Sequence, residues 1–309
     1  MVTAKERWGI IYSPRAGSYN AHKRWDMIRT YIESRGVQYD FVQSEGFGSV
    51  ERLAAMLCTN GYRTVVLVGG DGTLNDAING ILGCSDIPED FAFAVIPNGI
   101  GNDFARFWGM GVDDYKRLIN NIIERRTRLI DIGVCSFADE NNIPQKRYFL
   151  NCINIGLGAR LVQLTDEAMR FIGSKRLSTV SIAIAQIFER KAFNVEFAIE
   201  KESFSQEVMS ICIGNCHGYG QTPNAVPYNG LLDMSVITRP KWWQLFEGFW
   251  LLGKGHFLNY KNVHPYRTSS IKLVDVGKAS ISLDGRMLQT KYVGNIEVGV
   301  KKEFIRFVI

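Results

Sequence analysis

Through the first 133 residues, short apolar runs alternate with stretches whose apolar positions recur every three to four residues, the patterns of strands and amphipathic helices in turn. Ile10 to Tyr12 reads as a first strand, and Trp25, Ile28, Tyr31 and Ile32 share one helical face before Gly36, a helix stop. Val37 to Val42 reads as the next strand. Ser49 is the expected N-cap of a helix carrying Leu53, Met56 and Leu57 and ended by Asn60-Gly61. Thr64 to Val68 and Phe91 to Ile96 are apolar throughout and predict buried strands. Asp113-Asp114 starts a helix with Tyr115, Leu118, Ile119, Ile122 and Ile123 on one face, ahead of a strand from Leu129 to Ile132. This alternation predicts an α/β domain with a parallel sheet over residues 1–133.

After Gly133 the texture becomes β-like. Tyr148 to Ile155, Phe193 to Ile199, Val208 to Ile213, Leu231 to Ile237, Ser270 to Val274 and Ala279 to Leu283 read as strands, interrupted by helical stretches near Asp166 to Arg190 and Lys241 to Leu252. Such a density of short strands predicts a mostly β, β-sandwich second domain over residues 134–290.

Length and composition fit this division. A chain of 309 residues is long for one core and comfortable for two, and 46% hydrophobic with 22% charged residues is a globular balance. Trp242 to Leu252 is interrupted by Gln244 and Glu247 and is about half the roughly 20 residues a membrane span needs. The N-terminal residues lack the apolar core of a secretion signal, so a cytoplasmic location is expected. Cys58, Cys84, Cys135, Cys152, Cys212 and Cys216 lie in apolar segments, as buried reduced thiols do. Cys212, Cys216 and His217 have no second cysteine pair at ligand spacing, so a structural role is expected of them. A net charge of +5 mildly favours anionic partners, and without a long block of like charge it does not point to nucleic acid.

Two glycine-rich runs carry the candidate chemistry. Gly69-Gly70-Asp71-Gly72-Thr73 follows an apolar strand and opens a helical stretch at Leu74-Asn75-Asp76. In such a turn the backbone approaches a ligand without Cβ obstruction, and successive N–H groups can face phosphate oxygens. An ordinary strand-to-helix turn favours the same residues. Pro97-Asn98-Gly99-Ile100-Gly101-Asn102-Asp103-Phe104-Ala105-Arg106 follows the next apolar strand. Loops ending neighbouring strands of an α/β sheet form one nucleotide edge.

The two runs together resemble the diacylglycerol kinase catalytic family, which also holds sphingosine kinases and soluble bacterial lipid kinases. Ser13-Pro14-Arg15-Ala16-Gly17 stands where that family has an Asn-Pro-x-x-Gly phosphate loop, and Asp131-Ile132-Gly133 is similar to its Asp-x-Gly. Phe149-x-Asn151 with Gly156-x-Gly158, Pro223 to Asp233, and Leu283-Asp284-Gly285 resemble its later motifs in the same order. The resemblance implies that the last segment, about residues 291–309, returns to the first domain.

It also implies an ATP- and Mg²⁺-dependent kinase. Gly69, Gly70, Gly72 and Thr73 would cradle phosphates under a loop from Ser13 to Gly17, with Lys23 or Arg24 reaching an anionic oxygen unless they form a solvated helix face. Asp71 and Asp103 are the expected Mg²⁺ ligands, and Gly99 and Asn102 belong to the nucleotide loop, with turn capping the alternative for Asp71, Asn102 and Asp103. By the resemblance Asp71 is a candidate general base, Asp131 an orienting carboxylate, and Asp284 and Arg286 part of the catalytic set.

Three departures from the family pattern stand out, at Ile100, at Tyr228-Asn229 and at Arg286. Ile100 replaces a hydroxyl residue, and Tyr228-Asn229 replaces Asp-Asp beside a structural magnesium site. Arg286 replaces the Glu that many relatives use as base, and a guanidinium stays protonated. The leading expectation is a kinase of diacylglycerol or a related lipid alcohol, with a sphingoid base among them, peripherally attached to a membrane. A catalytically degenerate nucleotide- or lipid-binding homologue and a kinase of a soluble acceptor are the alternatives, and a homodimer stays open. Arg239 to Leu252 suits an interfacial helix, although apolar residues on more than one face favour a core helix. Met169 to Arg176 is a second basic and apolar candidate.

Overall fold

The computed structural model describes residues 7–14, 21–46, 48–99, 101–139, 141–161, 191–288 and 294–309. The loop residues Arg15 to Gly17, Ile100, the helix expected from Asp166 to Arg190 with its stretch Met169 to Arg176, and residues 291–293 lie outside the described residues. The chain forms two units, residues 1–131 with 302–309, and residues 132–301. The first is α/β and the second mostly β.

In the first unit β1 (Trp8–Tyr12), β2 (Tyr39–Gln43), β3 (Thr64–Gly69) and β4 (Ala92–Pro97) pair in parallel in the order β2-β1-β3-β4. Helices α1 (Ala21–Ser34), α2 (Ser49–Thr59), α3 (Asp71–Leu82), α4 (Asp103–Phe107) and α5 (Tyr115–Ile123) connect or follow them. Alternate strand residues point to opposite faces. Ile10, Tyr12, Val66, Val68, Ala94 and Ile96 therefore meet Trp25, Ile28 and Ile32 of α1 and Ile119 and Ile122 of α5 in one core. On the other side a Cβ at Gly9 would come 3.0 Å from the Leu57 side chain of α2, so the glycine admits that helix against the sheet. Helices on both faces explain why β1, β3 and β4 are buried without interruption, whereas the edge strand β2 carries Asp40 and Gln43. At the chain end Phe307 pairs in parallel with Phe93 of β4.

β5 (Thr127–Ala138) carries the chain from the first unit into the second. There β6 (Pro144–Phe149), β7 (Cys152–Gly156), β8 (Phe193–Ile199), β9 (Glu202–Gly214), β10 (Leu232–Thr238), β11 (Val263–Thr268), β12 (Ser270–Asp275), β13 (Ile281–Leu283) and β14 (Arg286–Met287) follow, with α6 (Gln244–Gly253) between β10 and β11, and β15 (Gly294–Val308) runs from this unit through residue 301 into the first. β5–β6, β7–β9, β8–β9, β9–β10, β10–β11, β8–β12, β12–β15, β7–β13 and β13–β14 pair antiparallel, and the long β9 pairs with β8 over its first half and with β7 and β10 over its second. Ile153, Ile155, Phe197, Ile211, Ile213 and Leu273 lie in the core of this second unit.

Several boundaries differ from the sequence expectation. Ser49 is the first helical residue rather than the cap, because Gly48 takes the N-cap position at φ 76° and the Ser49 hydroxyl donates to the Gly46 carbonyl at 2.6 Å. α3 starts at Asp71, not Leu74, so Asp71, Gly72 and Thr73 form a helical first turn. The single strand expected from Tyr148 to Ile155 is broken at Leu150-Asn151, where backbone N–H groups turn to a side chain described below. β11, with Pro265 and its polar residues, has no counterpart in the sequence expectation. No helix among the described residues is long and apolar enough to cross a membrane.

Candidate functional site

Because β1 to β4 are parallel, their carboxyl ends share one edge, and Ser13, Ser44, Gly70 and Asn98 follow there. Backbone bonds extend the ladder into the loops. Ser13 N–H donates to the Val68 carbonyl at 3.0 Å, Ser44 N–H to Tyr12 at 2.9 Å and Asn98 N–H to Gly69 at 2.8 Å. The buried Ser44 hydroxyl reaches the buried Ser13 hydroxyl at 3.3 Å.

Gly70 caps α3, its N–H donating to the Thr73 hydroxyl at 3.0 Å while that hydroxyl donates to the Gly70 carbonyl at 2.8 Å. A Cβ on Gly70 would stand 3.1 Å from Gly99 Cα, and one on Gly69 would strike the Thr73 hydroxyl. Glycine at 70 thus lets the two loops close on each other, and glycine at 69 leaves room for the Thr73 hydroxyl. The second loop is locked by Asn102, which sits at φ 54°, accepts the Gly99 N–H at 3.0 Å and donates to the Gly99 carbonyl at 2.8 Å. The Asn102 amide, expected to meet a nucleotide, is engaged at both ends in shaping its own loop.

Asp71 joins the loops. Its carboxylate accepts the N–H of Asp103 at 3.0 Å and of Phe104 at 3.2 Å, at the first turn of α4. A Cβ on Gly101 would lie 3.0 Å from Asp71 Oδ2 and 3.1 Å from Asp103 Oδ2, so the two carboxylates flank one glycine. As a whole residue Asp71 is half-buried, yet its carboxylate is closely surrounded. Desolvation raises its pKa despite backbone donors that favour the charged form. Asp103 is pushed up to about 6, first by burial and then by the Asp71 charge, with Arg106 opposing. Two hard carboxylates that resist ionising side by side fit a small divalent cation holding further oxygens from phosphate and water.

Arg24 donates to Asn98 Oδ1 at 3.2 Å, tying α1 to the second loop, whereas Lys23 is exposed. Asn98 is fully buried and its Nδ2 has no hydrogen-bond partner. An orphaned buried donor costs about 1–3 kcal/mol, and at this edge it suits a phosphate or sugar oxygen. The sequence signal for Asn98 was its place in the Pro97-Asn98-Gly99 run, while nothing in the sequence marked Ser44.

The other expected residues have structural work. Asp131 is 1% exposed and accepts the Glu303 N–H at 2.9 Å, where β15 turns left-handed at φ 47°. Asp284 and Gly285, at φ 47° and 81°, form the two-residue turn between β13 and β14, the preferred use of Asp-Gly in a hairpin. The Asp284 carboxylate accepts three N–H groups, Leu150 at 2.7 Å, Asn151 at 2.9 Å and Cys152 at 2.8 Å. Far from being a free acid, it holds β7 to this hairpin. Arg286 is partly exposed in β14, opposite Leu283. Asn229 accepts the Leu231 N–H at 2.9 Å, and the nearby Asp233 is held by both forks of Arg267 at 2.6 and 3.0 Å, a guanidinium standing against that carboxylate. All six cysteines are free, and no cluster of three metal-ligating side chains occurs among the described residues.

The parallel sheet with its glycine-spaced edge, followed by a β unit, is a two-part α/β-plus-β architecture. The diacylglycerol kinase catalytic domain matches residues 7–135, and the YegS C-terminal NAD kinase beta sandwich-like domain matches residues 151–294. The chain thus carries a diacylglycerol kinase catalytic domain followed by a YegS C-terminal domain. Its relatives include a diacylglycerol kinase of Staphylococcus saprophyticus, 25% identical over 91% of this chain and 89% of that one. A putative lipid kinase, YtlR, of Bacillus subtilis is 24% identical over 92% and 94%. Among solved structures, a putative diacylglycerol kinase from Bacillus anthracis superposes with a TM-score of 0.74 at 17% identity, over 99% of this chain and 98% of that chain. Yeast NADH kinase shares the fold more distantly, with a TM-score of 0.54 at 12% identity over 98% and 82%.

Proposed function

We propose that the protein is an ATP- and Mg²⁺-dependent kinase that phosphorylates the hydroxyl of diacylglycerol or a related lipid alcohol, acting in the cytoplasm at a membrane surface. The observation that carries this reading is the pairing of Asp71 and Asp103 across Gly101 beside the orphaned amide of Asn98. The Asn98 amide nitrogen, oriented by Arg24, and the Ser13 hydroxyl would meet the triphosphate, while Gly70 and Gly99, without side chains, would leave it room. In the transfer an acceptor oxygen bonds to the γ-phosphorus, the bond to the β-phosphate oxygen breaks, and the hydroxyl proton leaves to a carboxylate. Asp71, the carboxylate at the head of α3, is the group assigned to that proton. Mg²⁺, held by Asp71 and Asp103, would supply charge neutralisation on the phosphates.

Arg286 favours one competing reading, a binding homologue without turnover, since a guanidinium cannot accept the proton. Labelled ATP with Mg²⁺ and a panel of lipid alcohols in mixed micelles, with soluble alcohols alongside, decides between them. Label transfer to a lipid alcohol is expected. Measurable ATP binding without transfer across the panel leaves the binding homologue, and transfer only to soluble alcohols replaces the lipid. Asp71→Asn is expected to lower turnover by about 10²-fold or more, whereas Arg286→Glu is expected to bring no gain.

A further inference from the structure

α6 has two unlike faces. Leu245 and Leu251 are 7% and 9% exposed, and Leu251 packs with Met209, Ile237, Phe257, Tyr260 and Val263. Between the two leucines, a Cβ on Gly248 would come 3.1 Å from the Tyr260 ring, whose hydroxyl donates to the Gln244 carbonyl at 3.0 Å. Residues 245, 248 and 251 therefore form the inward stripe. At about 100° per residue, Phe246 and Trp250 fall on the opposite arc, and Trp242 and Trp243 stand in the turn that leads into the helix. Trp242, Trp243, Phe246 and Trp250 are 58%, 52%, 64% and 62% exposed. The core helix expected from the sequence is thus realised on one face only.

Exposed single apolar residues need no explanation, but four large aromatics within one short segment do. The charges around them narrow the partner. Arg239, Lys241, Lys254 and Lys261 are exposed at the two ends of the segment, and Glu247 is the sole acid from 239 to 261. Lys241 Nζ lies 5.3 Å from the centre of the Trp243 ring. Aromatic rings beside lysines suit the headgroup boundary of a bilayer, where the rings enter the acyl region and the ammonium groups meet lipid phosphates. A second copy would fit less well, because a two-fold contact through this segment would bring cationic ends toward cationic ends.

We propose that Trp242, Trp243, Phe246 and Trp250, with the flanking cations, dock on an anionic lipid bilayer. The proposal gives the lipid-kinase reading its membrane surface and rests on that reading for its purpose. The test uses the full chain without nucleotide, floated with vesicles of phosphatidylcholine alone or mixed with phosphatidylglycerol. Expected are binding that needs the anionic lipid and weakens with salt, and a blue shift of tryptophan emission on binding. Trp243→Ala/Phe246→Ala/Trp250→Ala should weaken binding about tenfold or more, and Lys241→Glu/Lys254→Glu should abolish the anionic preference. Circular dichroism checks that both variants fold, and if the first does not, the charge pair decides alone.

Wild-type binding by the aromatic variant, or an anionic preference unchanged by the charge variant, overturns the proposal. So does a wild-type dimer in sedimentation that the aromatic variant loses, since the face would then belong to a second copy. Vesicle binding that follows these substitutions in a protein that transfers no label upholds the docking face and sinks only the kinase reading.

Discussion

The Asp71 carboxylate accepts the backbone N–H of Asp103 at 3.0 Å, while both carboxylates border the position a Cβ on Gly101 would take. One residue thus anchors the loop that carries its neighbour, and the two charges are held close by the backbone rather than by mutual attraction. Position is fixed even though the charges repel.

That repulsion gives a pH signature. Asp103 titrates near 6 in the fold against an ordinary 3.8, so between these values the folded chain keeps a proton that the unfolded chain has released. Without divalent cation, this group makes stability fall as pH rises through that window and then adds no further slope. Asp103→Asn lacks the penalty. Melting curves in chelator should show the variant gaining on the wild type from about pH 4 to about pH 6 and holding its lead above. Adding Mg²⁺ at pH 7 should raise the wild-type Tm and leave the variant's unmoved. An equal Mg²⁺ shift in both would remove Asp103 from the metal site.

Gly101→Ala tests the same pair without touching a charge. The added methyl would stand 3.0 and 3.1 Å from the two carboxylates, tight enough to push them apart. We expect the Mg²⁺-dependent rise in Tm to disappear and turnover to fall about 10²-fold. Normal turnover would show that the two acids need not act together.

Asn98 gives a nucleotide readout. Asn98→Ala removes both the orphaned donor and the acceptor of Arg24. Loss of one such hydrogen bond to a charged ligand predicts ATP binding weaker by about tenfold, read by calorimetry. An unchanged affinity would place the nucleotide away from this amide.

For Asp284 the expectation is structural. Asp284→Ala leaves the N–H groups of Leu150, Asn151 and Cys152 buried without their acceptor, at a cost of about 3 kcal/mol or more by chemical denaturation. ATP affinity should stay near wild type if the variant folds. A stable Asp284→Ala that has lost only turnover would return this residue to the catalytic set.

The alternation of apolar runs and helical stripes by itself determined the α/β character of residues 8–123, because strands covered on both faces must be apolar throughout. The glycine runs marked the loops at the carboxyl edge of the sheet, since close approach of Gly70 to Gly99 is a local backbone demand that leaves its mark in residue type. What an aspartate does there was not legible. Asp71, Asp131 and Asp284 look alike as letters, and partners far along the chain decide their parts. Asp71 is met by the N–H groups of 103 and 104, Asp131 by that of 303, and Asp284 by those of 150, 151 and 152. The aromatic stretch from 242 to 250 was ambiguous for the same reason, as its periodicity allowed apolar contacts on more than one side. Only the seating of Leu245, Gly248 and Leu251 against the second unit's own residues determined which rings were left in solvent. Local patterns set the elements, because backbone geometry is local, whereas long-range packing chose which charges and which rings remained available for chemistry.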